Sequence, residues 1–234
     1  VALGAAGVAL FLLSHNATSL LGLPLLIAFA IAFAGFDLRR LYRAAAILAL
    51  SLALAAWFLV PVLVEKHYVH VDRLRQGYLH YSGHFVSLSQ LIFSRWGYGL
   101  SVPGTSDGMS FMLGPVHLVL GALGAVLALR AGRSQHLPAR VGMAAAVAVV
   151  VGAWIATPFS RFLWDAVPTL QYVEFPWRAL AVPSLGLALL AGLFVSLLPA
   201  APRLRAIVVA ISVVAIVAAN LSHAAPSGFL TFDD

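Results

Sequence analysis

Long apolar stretches alternate with short polar ones along almost the whole chain. Seven runs, 1–13, 17–34, 44–64, 109–129, 141–157, 179–198 and 206–221, contain no Asp, Glu, Lys or Arg. About 20 such residues, rising 1.5 Å each as a helix, cross a hydrocarbon core of about 30 Å. In lipid each backbone N–H and C=O must be satisfied within the segment, so these runs predict helices. The short alternating segments of a membrane β-barrel do not occur. The pattern therefore predicts an all-α, polytopic transmembrane bundle of about seven spans over residues 1–222. Residues 223–234 read as the start of an outer-face segment. The first run starts on Val1 in mid-span, so the chain reads as an internal piece of a longer protein.

Composition agrees: the chain is 62% hydrophobic and 9% charged, which excludes an ordinary soluble domain. There is no cysteine, so disulfides and thiolate metal sites are excluded. The net charge of +6 would suit nucleic acid, but its placement excludes that partner. Eight of the 14 basic residues fall in the loops 35–43, 130–140 and 199–205, as Arg39, Arg40, Arg43, Arg130, Arg133, Arg140, Arg203 and Arg205, opposed only by Asp37. These loops alternate with the polar segments, and the positive-inside rule assigns them to the cytoplasm, in contact with anionic lipid. The segments 65–108 and 158–178 then face outward, as does the break Ser14, His15, Asn16.

Residues 65–108 hold four of the eight histidines, three acids and four basic residues. Ser87 and Gln90 fit a capping box, with Val86 and Leu91 as a hydrophobic staple. The pattern predicts a helix over 88–96, lying in the interface, with Leu88, Leu91, Ile92 and Trp96 on one face. Gly97, Gly99, Gly104 and Gly108 permit tight turns and close approach to a ligand. Asp107 most simply caps a helix starting near Met109. His67, His70, His80 and His84 leave two readings: interfacial packing beside tyrosines, or a divalent-metal site completed by Glu65 or Asp72. No cofactor is otherwise implied.

Glu174, Phe175, Pro176, Trp177 and Arg178 open a span. A cation there faces the positive end of the helix dipole. Either Glu174 pairs with Arg178 one turn away, or Arg178 and the free N–H groups bind an anion such as a lipid phosphate. His117 stands about two turns into its run, a functional candidate or a histidine bonded between helices.

Taken together, Ser14-His15-Asn16, the run Glu65, Lys66, Tyr68 and His70, the stretch from His84 to Gln90 with Trp96 to Gly99, the stretch from Asp107 to Phe111, and Phe175 to Arg178 resemble bacterial multi-spanning membrane proteins labelled "6-pyruvoyl-tetrahydropterin synthase-related". That family is similar to glycosyltransferases of GT-C fold. The resemblance implies a bacterial inner-membrane protein that uses a polyprenyl-phosphate-sugar donor on the outer face. It also implies a catalytic acid in a first outer loop that precedes Val1, so no catalytic residue is named here. The expected substrate-binding residues are Arg178, Arg95, Lys66, His15, Asn16, His84, Asp107 and Glu174; Arg178 with Arg95 or Lys66 would hold the donor phosphate. The expected partners are membrane lipids and the lipid-linked sugar donor. The second function class is a non-enzymatic transporter or flippase for an anionic lipid or polysaccharide.

Overall fold

The computed structural model describes residues 1–132, 136–224 and 226, without the side chains of Lys66, Val71, Leu74 and His136. The regular elements among them are all helical. Apolar helices stand at each of the seven runs: α1 (Ala2–Ser14), α2 (Asn16–Ala34), α3 (Leu38–Val64), α5 (Pro115–Ala131), α6 (His136–Ile155), α8 (Ala181–Leu197) and α9 (Pro202–Asn220). Two short helices, α4 (Leu88–Ile92) and α7 (Arg161–Ala166), lie in the polar segments. Of the apolar helices, five are long and apolar enough to cross a membrane, counting α8 with the turn Pro176–Leu180 that leads into it; α1 and α5, with 13 and 17 residues, are shorter. The exposed surface points the same way. The α9 segment has a mean hydropathy of 2.3 and no buried residue, which only an apolar solvent tolerates.

Small residues bring the helices together, as expected where lipid gives no hydrophobic drive to association. Gly121, Gly124 and Ala128 share the buried face of α5. A methyl added at Gly124 would lie 1.8 Å from the Leu190 carbonyl oxygen of α8. Gly142 meets Ala128, Gly152 meets Pro183, and Gly186 meets Ala145 and Val149, so α5, α6 and α8 form one tight group. On the other side α1 packs on α3, where Ser51 donates to the Ala5 carbonyl at 3.0 Å.

The bundle has two unlike ends. At the basic end Gly35 lies against the Arg140 guanidinium, which joins the first two basic loops. Because α8 begins at the opposite end, its junction with α9 is at the basic end too. Arg133 lies outside the described residues. Asp37 caps α3, accepting from the Arg39 and Arg40 N–H groups, so α3 starts six residues before its apolar run. The opposite, loop-bearing end carries His15 and the polar segments.

Three local expectations are corrected there. The capping box on Ser87 and Gln90 forms, and Val86 and Leu91 share a buried cluster with Phe111. The helix, however, covers only Leu88–Ile92 rather than 88–96, because from Phe93 on the chain is extended alongside residues 109–113. Ser94 bonds Ser110 and accepts from the Phe111 N–H, while Leu91 accepts from the Leu113 N–H. Leu88 and Ile92 are exposed, and Trp96 packs on Tyr98 and His223.

Secondly, α5 starts at Pro115, not near Met109, with Gly114 before it at φ 85°. Asp107 does not cap it; its carboxylate accepts from Gln90 Nε2 at 2.6 Å and the Val102 N–H at 2.8 Å, tying the loop to the capping box. Thirdly, His117 is the third residue of α5, not two turns into it.

Candidate functional site

The two polar segments converge, and aromatic packing joins them. Tyr81 stacks on Trp164 with centroids 5.4 Å apart, and Phe85 meets both edge-on. Trp164 is fully buried and donates from Nε1 to the Ile155 carbonyl and Ser160. Arg75 donates to Gln171 at 2.7 Å, and Gln171 donates to the Trp164 carbonyl at 2.9 Å. Phe175 contacts both Tyr78 and His84.

The Tyr81 hydroxyl donates to Asp165. Burial first, and then the neighbouring Asp165 carboxylate, raise this phenol above its ordinary 10.0, with Arg161 opposing. A raised folded pKa contributes stability that is complete below pH 10.0 and is lost as pH rises through the raised value. The wild type should therefore loosen in alkali. Tyr81→Phe should cost about 1 kcal/mol near neutrality, since Asp165 stays solvated, and should lose that alkaline dependence. Thermal unfolding in detergent from pH 7 to 11 checks both expectations; a parallel alkaline decline in the variant would contradict them.

Beside this docked cap, a cleft of about 400 Å³ opens between α2, residues 109–113 and the start of α8. His15 and Thr18 line one wall, Ser110 and Leu113 another, and Trp177, Arg178, Ala181 and Ser184 the third. His15 is the N-cap of α2; its Nδ1 accepts from the Thr18 N–H, which leaves the ring proton on Nε2. Trp177 packs on Phe111 and Phe175, and its Nε1 has no hydrogen-bond partner among the described residues.

Arg178 is held from one side only. Its Nη1 donates to the Val173 carbonyl at 2.7 Å and to Glu174 at 3.1 Å, and its guanidinium lies 4.8 Å over the Phe175 ring. The backbone is bent to make this possible. Glu174 has φ 65° and ψ −52°, and the Phe175 N–H bonds back to the Val173 carbonyl at 2.7 Å. This is a γ-turn of the rarer hand, a conformation that costs about 1–3 kcal/mol. The turn presents the Val173 carbonyl and the Glu174 carboxylate to the same nitrogen. Among the described residues nothing bonds Nε or Nη2, the edge that forms paired hydrogen bonds with phosphate or carboxylate. The two sequence readings of Arg178 are therefore compatible: Glu174 pairs with it, and a free fork remains.

The other expected residues are dispersed. Arg95 is exposed and is not among the residues lining the cleft. The Lys66 side chain lies outside the described residues. Asn16 is exposed at the first position of α2, outside the cleft lining. His84 is buried; its Nε2 donates to the Tyr78 carbonyl and its Nδ1 bonds Ser101 at 2.9 Å, so it joins the loop internally and is not a cleft residue. Asp107 is likewise internal to the loop. Gly97 and Gly99 serve the close approach of two backbone segments, both lying against Gly108. Among the described residues no three His, Asp or Glu side chains come together as a metal site would require. Thr18, Ser110 and Ser184 were not legible as site residues, because lone hydroxyls near apolar runs carry no spacing signal.

These features define a helical integral membrane protein with a polar cleft at its loop-bearing end. Comparison of the chain with protein-family models, curated protein sequences and solved structures returned no match in any of the three.

Proposed function

We propose that the cleft binds the phosphate of a polyprenyl-linked sugar on the outer face of a bacterial inner membrane, and that the protein is part of a GT-C-type glycosyltransferase. The observation that supports this reading is the Nε/Nη2 edge of Arg178, unpartnered among the described residues, in a cleft whose other polar side chains are hydroxyls, a histidine and the Trp177 indole. The fork suits a phosphate. Thr18, Ser110, Ser184 and His15 Nε2 suit sugar hydroxyls, and Leu113, Leu180 and Ala181 give an apolar wall for the first prenyl units. The outer assignment rests on the arginines at the opposite end. His117, the group that suggested a charged path for transport, belongs to the first turn of α5, which favours binding at one face over passage through the bundle.

The test is binding of a polyprenyl phosphate to the protein in nanodiscs. Arg178→Lys should weaken it, since a point charge replaces the fork, and Arg178→Gln should weaken it about tenfold or more. Unchanged affinity in Arg178→Gln would remove the reading.

A further inference from the structure

The basic end holds a second cleft, of about 640 Å³, lined by Phe36, Leu129, Gly132, Ala139, Arg140 and Met143. Among the described residues its lining is apolar apart from one cation. Arg140 makes no hydrogen bond or ion pair among the described residues, and its Nε is buried without a partner. A buried guanidinium N–H without an acceptor costs free energy, so a missing acceptor is the simplest complement.

The surroundings specify its charge. The described residues of this end carry Arg39, Arg40, Arg43, Arg130, Arg203 and Arg205 besides Arg140, and the only acid, Asp37, already pairs with Arg40 at 3.1 Å. Gly35 supplies a gap for the guanidinium: it has φ 59°, and a methyl there would lie 1.6 Å from Arg140 Nη1. Phe36 beside it is fully exposed, an aromatic suited to headgroup depth. Arginine at the depth of the headgroups with an apolar trough beside it is complementary to a phosphodiester that carries acyl chains.

We propose that this cleft is a binding site for one anionic phospholipid of the cytoplasmic leaflet. The Arg140 guanidinium takes the phosphate at the cleft, and an acyl chain lies along Leu129 and Met143. The site is separate from the Arg178 cleft and independent of any reaction there.

Native mass spectrometry of the detergent-solubilised protein, titrated with dioleoyl phosphatidylglycerol and separately with dioleoyl phosphatidylcholine, tests it. The wild type should retain one phosphatidylglycerol in preference to phosphatidylcholine. Arg140→Gln should weaken phosphatidylglycerol about tenfold or more and leave phosphatidylcholine unchanged, with Arg140→Lys intermediate. Arg95→Gln, the same loss of charge at the other end, should have no effect. Met143→Glu, which puts a carboxylate in the trough and leaves Arg140 in place, should also weaken phosphatidylglycerol, and it carries the test if Arg140→Gln does not fold. Phosphatidylglycerol binding within about twofold of wild type in Arg140→Gln, or in Met143→Glu where Arg140→Gln does not fold, would overturn the proposal. Ready displacement of the lipid by inorganic phosphate would overturn the lipid assignment in favour of a free-anion site.

Discussion

Gly124→Ala is expected to destabilise the protein by about 2–3 kcal/mol and to impair the cleft, whereas Gly192→Ala is expected to be neutral or stabilising by up to about 1 kcal/mol. Both glycines lie within apolar helices, and helix propensity favours alanine at either by about 1 kcal/mol. Packing reverses the sign at one of them. At Gly124 the new methyl would stand 1.8 Å from the Leu190 carbonyl oxygen and 2.6 Å from its carbon, and both are helix backbone that cannot rotate away. Ordinary contact needs roughly 3.5 Å, so α5 and α8 would have to part by 1–2 Å, on the order of a bond length. Among the described residues nothing lies within 4 Å of the corresponding position at Gly192. The parting has a functional consequence, because residues 109–113 lead directly into α5 while Arg178 and Ser184 stand at the start of α8. Thermal unfolding in detergent, with polyprenyl-phosphate binding measured on the same samples, is the check. A Gly124→Ala protein as stable as Gly192→Ala would show that the α5–α8 contact is looser than described.

Glu174→Gln and Arg178→Gln are expected to move anion affinity in opposite directions. Arg178→Gln removes the fork and should weaken a bound phosphate about tenfold or more. Glu174→Gln keeps an oxygen able to accept from Nη1, so the guanidinium stays positioned, but it removes a negative charge. A phosphate on the Nε/Nη2 edge would sit roughly 6–7 Å from the Glu174 carboxylate, a repulsion of about 2–3 kcal/mol at an effective dielectric of 20. The Arg178 side chain is 27% exposed and that of Glu174 15%. Solvent screening reduces the figure to about 1 kcal/mol, a gain in affinity of about fivefold. If the pair only braces the turn before α8, the two variants should instead lower thermal stability by similar small amounts and leave polyprenyl-phosphate binding alone. Parallel titrations of wild type and both variants at low and high salt decide the matter, and a loss of affinity in Glu174→Gln would contradict the charge argument.

The helices themselves were legible because their cause is local. An apolar run in lipid has no partner for its backbone except its own next turn. The seven runs therefore gave helices in place, though α1 and α5 are shorter than a full span. The capping box was legible for the same reason, since Ser87 and Gln90 satisfy each other within four residues. Its helix stopped early because residues 109–113, distant in sequence, offered Phe93 and Ser94 an extended partner.

Arg178 could be singled out from its position against the helix dipole, and its pairing with Glu174 from the spacing. The γ-turn that leaves one edge of the guanidinium free could not, since it depends on Val173 being buried in the docked cap. Arg95 and Asp107 do not line the cleft: the path of the loop takes Asp107 to Gln90 and leaves Arg95 exposed. Arg140 looked like any other topology-setting arginine until Gly35 was seen to lie against it. Composition and apolar periodicity alone determined a helical membrane protein with reactive groups gathered at one end and arginines at the other, because partition into lipid depends on each segment by itself. Which side chains share a cleft was decided only by tertiary contacts between segments far apart in sequence, through close approaches at glycines and the docking of two polar segments.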